Sequence, residues 1–275
     1  MTADVLLAAA LGGVVGIALG LTGGGGSIFA VPLLIYGLGL APIEAVAMSL
    51  VAVAVTAFVG ALQSLRHGLV VWQPVVLFSL GGIVGAPAGV MVARWIDADL
   101  IVAAFAVLAI VVGTLMWHAS RRRPEQAAAV RARPYEAGGG AICVLAPDGQ
   151  LRFTAPCAFA LAIVGIGTGL LSGLFGVGGG FLIVPALVLV TRMGVHRAVA
   201  SSLAIITAIG FAGSSSAIWQ GRIDWLVLAP FAAGGALAML GARAFAARIA
   251  GPVLQRVFAA SIVAVGIAML VERLM

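Results

Sequence analysis

The chain has 275 residues, of which 63% are hydrophobic and 9% are charged. Soluble domains are nearer half apolar and a quarter charged, so this composition excludes an ordinary soluble protein. The net charge of +6 comes from arginine without any lysine, and the arginines lie mostly between apolar runs. That placement is typical of the loops of a membrane protein, so nucleic acid is not expected as a partner.

Ten apolar segments follow one another along the chain, five in each half. Runs of about 20 residues recur, which is the length that crosses the hydrocarbon core of a bilayer. The sequence therefore predicts an all-α polytopic membrane protein. In chain order the predicted segments are 4–21, 27–38, 43–65, 73–93, 100–118, 156–174, 181–191, 197–218, 225–245 and 253–272.

The two halves repeat each other. A shift of 153 residues places GLTGGGGSIFAVP (20–32) on GLFGVGGGFLIVP (173–185) and Trp72 on Trp225, without gaps. Because chance rarely matches Gly, Pro and Trp in one register, we predict a duplication, which is a transporter feature. The predicted units are a first membrane repeat (1–118), an arginine-rich linker (119–155) and a second membrane repeat (156–275). Within the linker, 141–153 is predicted to form a small β-hairpin or turn.

The second apolar segment of each half is only about half as long as a bilayer is thick, at about 17 Å. If the first two segments of each half form a hairpin, the halves are inverted, and 12 arginines lie on the linker side of the membrane against 3 on the other side. If those two segments instead form one broken span, the linker side has 9 arginines and the other side has 6. Arginine bias favours the hairpin, with the linker in the cytoplasm and both termini outside the inner membrane. In that arrangement the three arginines on the side opposite the linker are Arg94, Arg222 and Arg273.

Two glycine-rich loops interrupt the apolar pattern at equivalent places, each just before a short segment. Non-helical backbone is tolerated within the hydrocarbon region only where it is buried in protein or lines a cavity. A helix N-terminus offers unpaired N–H groups, and glycine lets an anion approach the backbone. The alternative is that the glycines only permit close helix crossing. The candidate anion-binding residues are Thr22, Gly23, Gly24, Gly25, Gly26 and Ser27 in the first loop, and Gly176, Val177, Gly178, Gly179 and Gly180 in the second.

Other polar residues in the third segments are weaker candidates for contacting the substrate. Hydroxyls and amides could bind oxyanion oxygens, but a serine in a helix more often bonds to its own backbone. His67, which aligns with Gln220, could carry a coupling proton, the alternative being a solvated histidine at the interface. No catalytic, cofactor or metal motif occurs, so an enzyme is not expected. These further candidates are Ser49, Gln63, Ser201, Ser202 and Gln220.

At the glycine loops the sequence resembles the TauE/SafE family of sulfite and organosulfonate exporters. GLTGGGGSIFAVPLL (20–34), GLFGVGGGFLIVPAL (173–187), AVAMSLVAV (45–53), RAVASSLAI (197–205) and WQGRIDW (219–225) carry the resemblance. It implies secondary export of sulfur-containing anions such as sulfite, thiosulfate or organosulfonates. A channel-like anion pathway and a membrane partner subunit of a sulfur-handling system are the alternatives. A coupling proton or ion and a second copy of the chain are further expected partners.

Overall fold

The computed structural model describes residues 2–24, 26–122, 144–145, 151–152, 155–176, 180–191, 193, 195–219, 223–246 and 251–274. Within these ranges the chain is almost entirely helical, and ten α-helices follow one another in two sets of five. They are α1 (Thr2–Thr22), α2 (Ser27–Pro32), α3 (Pro42–Arg66), α4 (Trp72–Ala93), α5 (Ala98–Arg122), α6 (Ala155–Phe175), α7 (Gly180–Thr191), α8 (Val195–Trp219), α9 (Trp225–Ala246) and α10 (Gly251–Leu274).

Each predicted apolar segment coincides with one of these helices. In the described part of the chain, six of them are long and apolar enough to cross a membrane. The all-α polytopic class is therefore confirmed. Helix α5 runs four residues beyond the predicted boundary at 118, because arginine is a good helix former and suits a helix C-terminus. The hairpin predicted in the linker is present as β1 (Val144–Leu145) and β2 (Leu151–Arg152), which pair antiparallel.

Helix α2 is short and folds back along α1. After Pro32, which has no N–H to donate, the chain continues as a π-helical turn over Leu33–Gly37. A Cβ atom placed on Gly26 would lie 2.2 Å from the backbone nitrogen of Leu19, and one on Gly37 would lie 2.7 Å from the Leu11 side chain. As the chain advances from Gly26 to Gly37, its neighbour on α1 moves back from Leu19 to Leu11. This reversal is what a hairpin requires, whereas a broken span would continue away from α1.

Equivalent helices of the two halves pack against each other in opposite directions. Helices α3 and α8 contact each other where Gly210 meets Ala54 and where Gly60 meets Leu203. As the chain advances along α3, its neighbour on α8 moves backwards, so the two helices are antiparallel. Helices α5 and α10 are arranged in the same way, with Gly113 against Val263 and Gly266 against Ile110. Antiparallel packing of α3 with α8 and of α5 with α10 is what the predicted inverted repeats require. The orientation of the repeats in a bilayer stays a prediction.

The first helix of each half packs along the fourth helix of the other half. Glycines make both contacts close, since a Cβ on Gly16 of α1 would lie 2.0 Å from the carbonyl oxygen of Gly235 of α9. At the equivalent place, a Cβ on Gly169 of α6 would lie 2.5 Å from the carbonyl oxygen of Gly82 of α4. These contacts form two glycine ladders, the α1–α9 ladder and the α4–α6 ladder. Small residues at such crossings let helix backbones approach, so these glycines serve packing.

Candidate functional site

The two glycine loops begin with the same backbone turn. Gly23 has φ +74° and Gly176, its equivalent, has φ +69°, a conformation that other residues rarely adopt. Neither position has room for a side chain. A Cβ on Gly23 would lie 2.2 Å from the side chain of Val199, and one on Gly176 would lie 2.5 Å from the Cα atom of Val46. Glycine is therefore required at each of these positions for two reasons. It allows the positive φ angle of the turn, and it leaves room for the third helix of the opposite half.

Two equivalent serines hold these turns. Ser202 Oγ on α8 donates to the carbonyl oxygen of Gly23 at 2.5 Å, and Ser49 Oγ on α3 donates to the carbonyl oxygen of Gly176. Each hydroxyl also lies 2.8 Å from a carbonyl of its own helix. A hydroxyl has one proton to give, so each serine shares it between a loop carbonyl and a carbonyl of its own helix, and in this conformation no proton is left for a substrate.

The loops meet each other where α7 begins. A Cβ on Gly24 would lie 2.3 Å from the carbonyl oxygen of Gly180, and one on Gly180 would lie 2.4 Å from the carbonyl oxygen of Gly24. Ser27 Oγ donates to that same Gly24 oxygen at 2.7 Å. The two backbones are thus in van der Waals contact, and the space directly between them is closed.

The interior around the loops carries no charge in the described part of the chain. Its buried polar side chains there are all serines and threonines. An ion at the loops would therefore be stabilised by backbone and hydroxyl dipoles rather than by a buried ion pair. Peptide N–H groups at the start of a helix favour an anion in such surroundings.

The remaining candidates with described positions lie on or at the ends of α1, α3 and α8. Ser201 Oγ accepts a hydrogen bond from the backbone N–H of Val71 at 3.0 Å and so ties α8 to the start of α4. Gln63 is half-buried, and its Oε1 atom is buried without a hydrogen bond among the described residues. His67 is exposed at the end of α3, with Nδ1 2.7 Å from the Gln63 carbonyl oxygen. Thr22 Oγ1 donates to the Ala18 carbonyl at 2.7 Å. The candidates outside the described residues are Gly25, Val177, Gly178, Gly179 and Gln220.

A cavity of about 80 Å³ lies beside the second loop. Its wall includes Val46, which contacts Gly176, and Phe175, which precedes Gly176 in the chain. Arg94 also lines the cavity and is the one charged residue among the described residues of its wall. Sequence reasoning counted Arg94 only as an orientation signal. One signal in the sequence set Arg94 apart, because the equivalent position in the second half is Ala247.

Comparison with known proteins agrees with this architecture. The family model described as sulfite exporter TauE/SafE matches residues 8–269. Two proteins called probable membrane transporter protein, from Xylella fastidiosa strains 9a5c and Temecula1, are 34% and 35% identical over 93% of this chain and 91% of their own lengths. The probable membrane transporter protein YunE of Bacillus subtilis is 27% identical over 78% of each chain. No solved structure gives a significant match. The chain is a multi-pass membrane protein of a transporter family, and it belongs to the sulfite exporter TauE/SafE family.

Proposed function

We propose that this protein is a secondary transporter, acting as an exporter of small sulfur-containing anions such as sulfite, thiosulfate or organosulfonates. The observation that carries the proposal is the meeting of two equivalent glycine loops, one from each half, at Gly24 and Gly180. Antiparallel packing of the equivalent helices supports inverted repeats, which in transporters place the site near the midplane. The family description supports a sulfur oxyanion as the substrate.

The loops supply the dipoles that such an anion needs. Helix α7 begins at Gly180, so its first N–H groups have no partner within the helix. In this conformation each of Gly24 and Gly180 admits the carbonyl oxygen of the other where a side chain would lie, so an anion can reach the backbone there only when the loops part. In this conformation the contact between the two glycines forms a barrier. Alternating access then requires the loops to part on one side at a time, with each loop moving with the serine that holds it.

We also propose that the protein lies in the inner membrane with the linker in the cytoplasm and both termini outside. The 12 to 3 division of arginines and the α1–α2 hairpin support this orientation. One observation favours the opposite orientation: Cys157, at the start of α6, is disulfide-bonded, and disulfides persist in oxidising compartments. Labelling a single cysteine, Ala128→Cys in a variant with Cys143 and Cys157 replaced, decides between them. Labelling of intact cells by an impermeant maleimide would refute the cytoplasmic linker.

The transport claim is tested with purified protein in liposomes. We expect saturable flux of sulfite, thiosulfate or a sulfonate, with counter-transport of the same anion from the other side. Gly24→Ala and Gly180→Ala should abolish this flux because a Cβ at either position meets the opposite backbone. Gly167→Ala on α6 is the matched control, since no described atom lies within 4 Å of a Cβ there. Wild-type protein that moves no sulfur anion would refute the proposal.

The same assay separates the two alternatives. A channel-like pathway would give flux that does not saturate and shows no counter-transport. A partner subunit acting through the linker would lose its activity when residues 124–150 are deleted, whereas a transporter built from the two membrane repeats should keep its flux. Gly24→Ala and Gly180→Ala variants that fold and still transport would show that the loops are packing devices.

A further inference from the structure

We propose that the two repeats have different roles where the loops meet. The second repeat binds the anion through the Ser172 hydroxyl and the start of α7. The first repeat supplies the carbonyl group of Gly24 as a plug, which the anion must displace. This division of roles rests on the proposed transport function, because the bound anion is the transported one. It makes two loops with the same backbone turn unequal in function.

Ser172 carries a buried hydroxyl group without a hydrogen-bond partner in the described part of the chain. The residue is 1% exposed, and its Oγ atom is shielded from solvent. A buried hydroxyl that makes no hydrogen bond destabilises a folded protein. Such a group is explained by a partner that binds there, and an anion accepts the proton that this hydroxyl has free.

Ser172 lies in the last turn of α6, next to the start of the second loop. The backbone N–H of Gly176 donates to the Ser172 carbonyl oxygen at 2.9 Å. In the first half the equivalent residue is Leu19, and a Cβ on Gly26, the residue before α2, would lie 2.2 Å from its backbone nitrogen. This position on the first helix therefore adjoins the start of the short helix. The register of the repeat brings Ser172 to the start of α7, which begins at Gly180.

The two halves use their buried hydroxyl groups differently at this place. In the first half Ser27 is the first residue of α2, and its hydroxyl donates to the Gly24 carbonyl oxygen at 2.7 Å. The facing residue on α1 is Leu19, which is apolar and buried. In the second half the order is reversed, because Gly180 replaces Ser27 and Ser172 replaces Leu19. The first repeat has thus bonded its hydroxyl to its own loop, whereas the hydroxyl of the second repeat is available to a ligand.

The start of α7 adds further donors beside Ser172. The helix runs for 12 residues, Gly180–Thr191, and the N–H groups of its first turn have no partner within the helix. They carry partial positive charge, which favours an anion. An oxyanion has several oxygens, so it can accept hydrogen bonds from Ser172 and from these N–H groups at once. The second repeat therefore provides two independent kinds of donor at one place.

The carbonyl group of Gly24 occupies the space beside the first residue of α7. A Cβ on Gly180 would lie 2.4 Å from the Gly24 oxygen. This oxygen is the negative end of a peptide dipole, so it competes with an anion for the same surroundings. Ser27 holds it through Oγ at 2.7 Å and through its backbone N–H at 3.4 Å. An anion that binds at α7 must move Gly24, and its binding therefore favours the conformation in which the loops have parted.

The test compares the effects of two buried serines on anion binding by the purified protein in detergent. Ser172→Ala should weaken binding of sulfite by about tenfold or more, because a hydrogen bond to a charged group is lost. Without anion, this variant should unfold at the wild-type temperature or slightly above it, because a buried hydroxyl without a partner is removed. Ser27→Ala should strengthen binding by up to about tenfold, because the plug loses a neutral hydrogen bond.

Two further variants show whether the effect belongs to the Ser172 hydroxyl. Ser172→Cys has nearly the same size but a weaker donor, so it should bind sulfite with intermediate affinity. Ser214→Ala is the matched control, since Ser214 is also buried and its hydroxyl donates to the Phe211 carbonyl of its own helix. It should bind sulfite as the wild type does.

The outcomes are distinguishable from those of the transport assay. Unchanged binding in Ser172→Ala, or binding that is not strengthened in Ser27→Ala, would overturn the division of roles even if the wild-type protein transports sulfite. Wild-type protein that binds none of sulfite, thiosulfate and methanesulfonate would overturn it as well. Binding that depends on Ser172, together with no flux of any sulfur anion, would refute the transport function and leave the division of roles.

Discussion

The two halves of the molecule are alike where backbones touch and differ at residues that line the cavity beside the second loop. The positive-φ glycines, the serines that hold them and the glycine ladders all occur as equivalent pairs. Residues that line the cavity beside the second loop do not all have equivalents of the same type in the other half. Ile43 lines it, and the equivalent residue is His196, half-buried with an Nδ1 atom that makes no hydrogen bond in the described part of the chain.

The difference shows which positions the duplicated fold constrains. A glycine whose missing Cβ admits another backbone cannot change in either half without moving a helix, because packed interiors do not yield. A cavity wall tolerates substitution, since it borders empty space. The halves can therefore keep one scaffold while residues outside the close backbone contacts change. Four predictions test this comparison, beginning with the largest effect.

The first prediction concerns the loop glycines. Gly23→Ala and Gly176→Ala should each lower the free energy of unfolding by about 3 kcal/mol, because a strained φ is combined with a collision against the opposite half. Gly39→Ala is the control, since Gly39 has φ +67° but no described atom within 4 Å of a Cβ. It should lose only about 1 kcal/mol. Denaturation in detergent measures all three. Equal losses at Gly23 and Gly39 would show that the loop contact is unimportant.

The second prediction concerns the glycine ladders. Gly16→Ala and Gly169→Ala should each destabilise the protein by about 2 kcal/mol, because both force α1 or α6 away from the fourth helix of the other half. Gly167→Ala on the same helix as Gly169 meets open space. It should be neutral or slightly stabilising, since alanine is the better helix former. Thermal unfolding in detergent would show the contrast, and a clear difference between Gly16→Ala and Gly169→Ala would break the equivalence of the halves.

The third prediction concerns the two serines. Ser49→Ala and Ser202→Ala should each cost about 1 kcal/mol and reduce flux, because a loop carbonyl loses its donor from the opposite half. Ser214→Ala is the control, since Ser214 on α8 is buried and, among the described residues, donates to the carbonyl of Phe211 on its own helix. Flux and thermal unfolding are measured on the same preparations. Normal flux in both loop variants would mean that the serines do not control the loops.

The smallest effect is expected at His67. This residue is exposed at the end of α3 and away from the meeting point of the loops. His67→Gln should therefore leave the dependence of flux on pH unchanged. Measuring flux between pH 5 and 8 in the wild type and the variant checks this expectation. A lost or shifted pH dependence would instead support the prediction that His67 carries a coupling proton.

Sequence reasoning located the helices because each is an apolar run bounded by glycine, proline or arginine. It also located both loops, because four glycines cannot continue a helix at low cost. It could not distinguish the glycines of the loops from those of the ladders, since composition is the same in both. Gly23 differs from Gly16 through its φ angle and its neighbour Val199, and neither property is written in the local sequence.

The sequence by itself determined the membrane class, the duplication and the short second segment of each half, because these follow from hydrophobicity and register along the chain. The arginine bias favoured the α1–α2 hairpin, and the structure shows α2 folding back on α1. Only the tertiary structure decided that Ser49 and Ser202 bond across to the opposite half and that Arg94 lines a cavity beside the second loop. Those relations join residues far apart in the chain. Their spacing along the sequence carries no information about which helix each one will face, because the packing of the helices sets it.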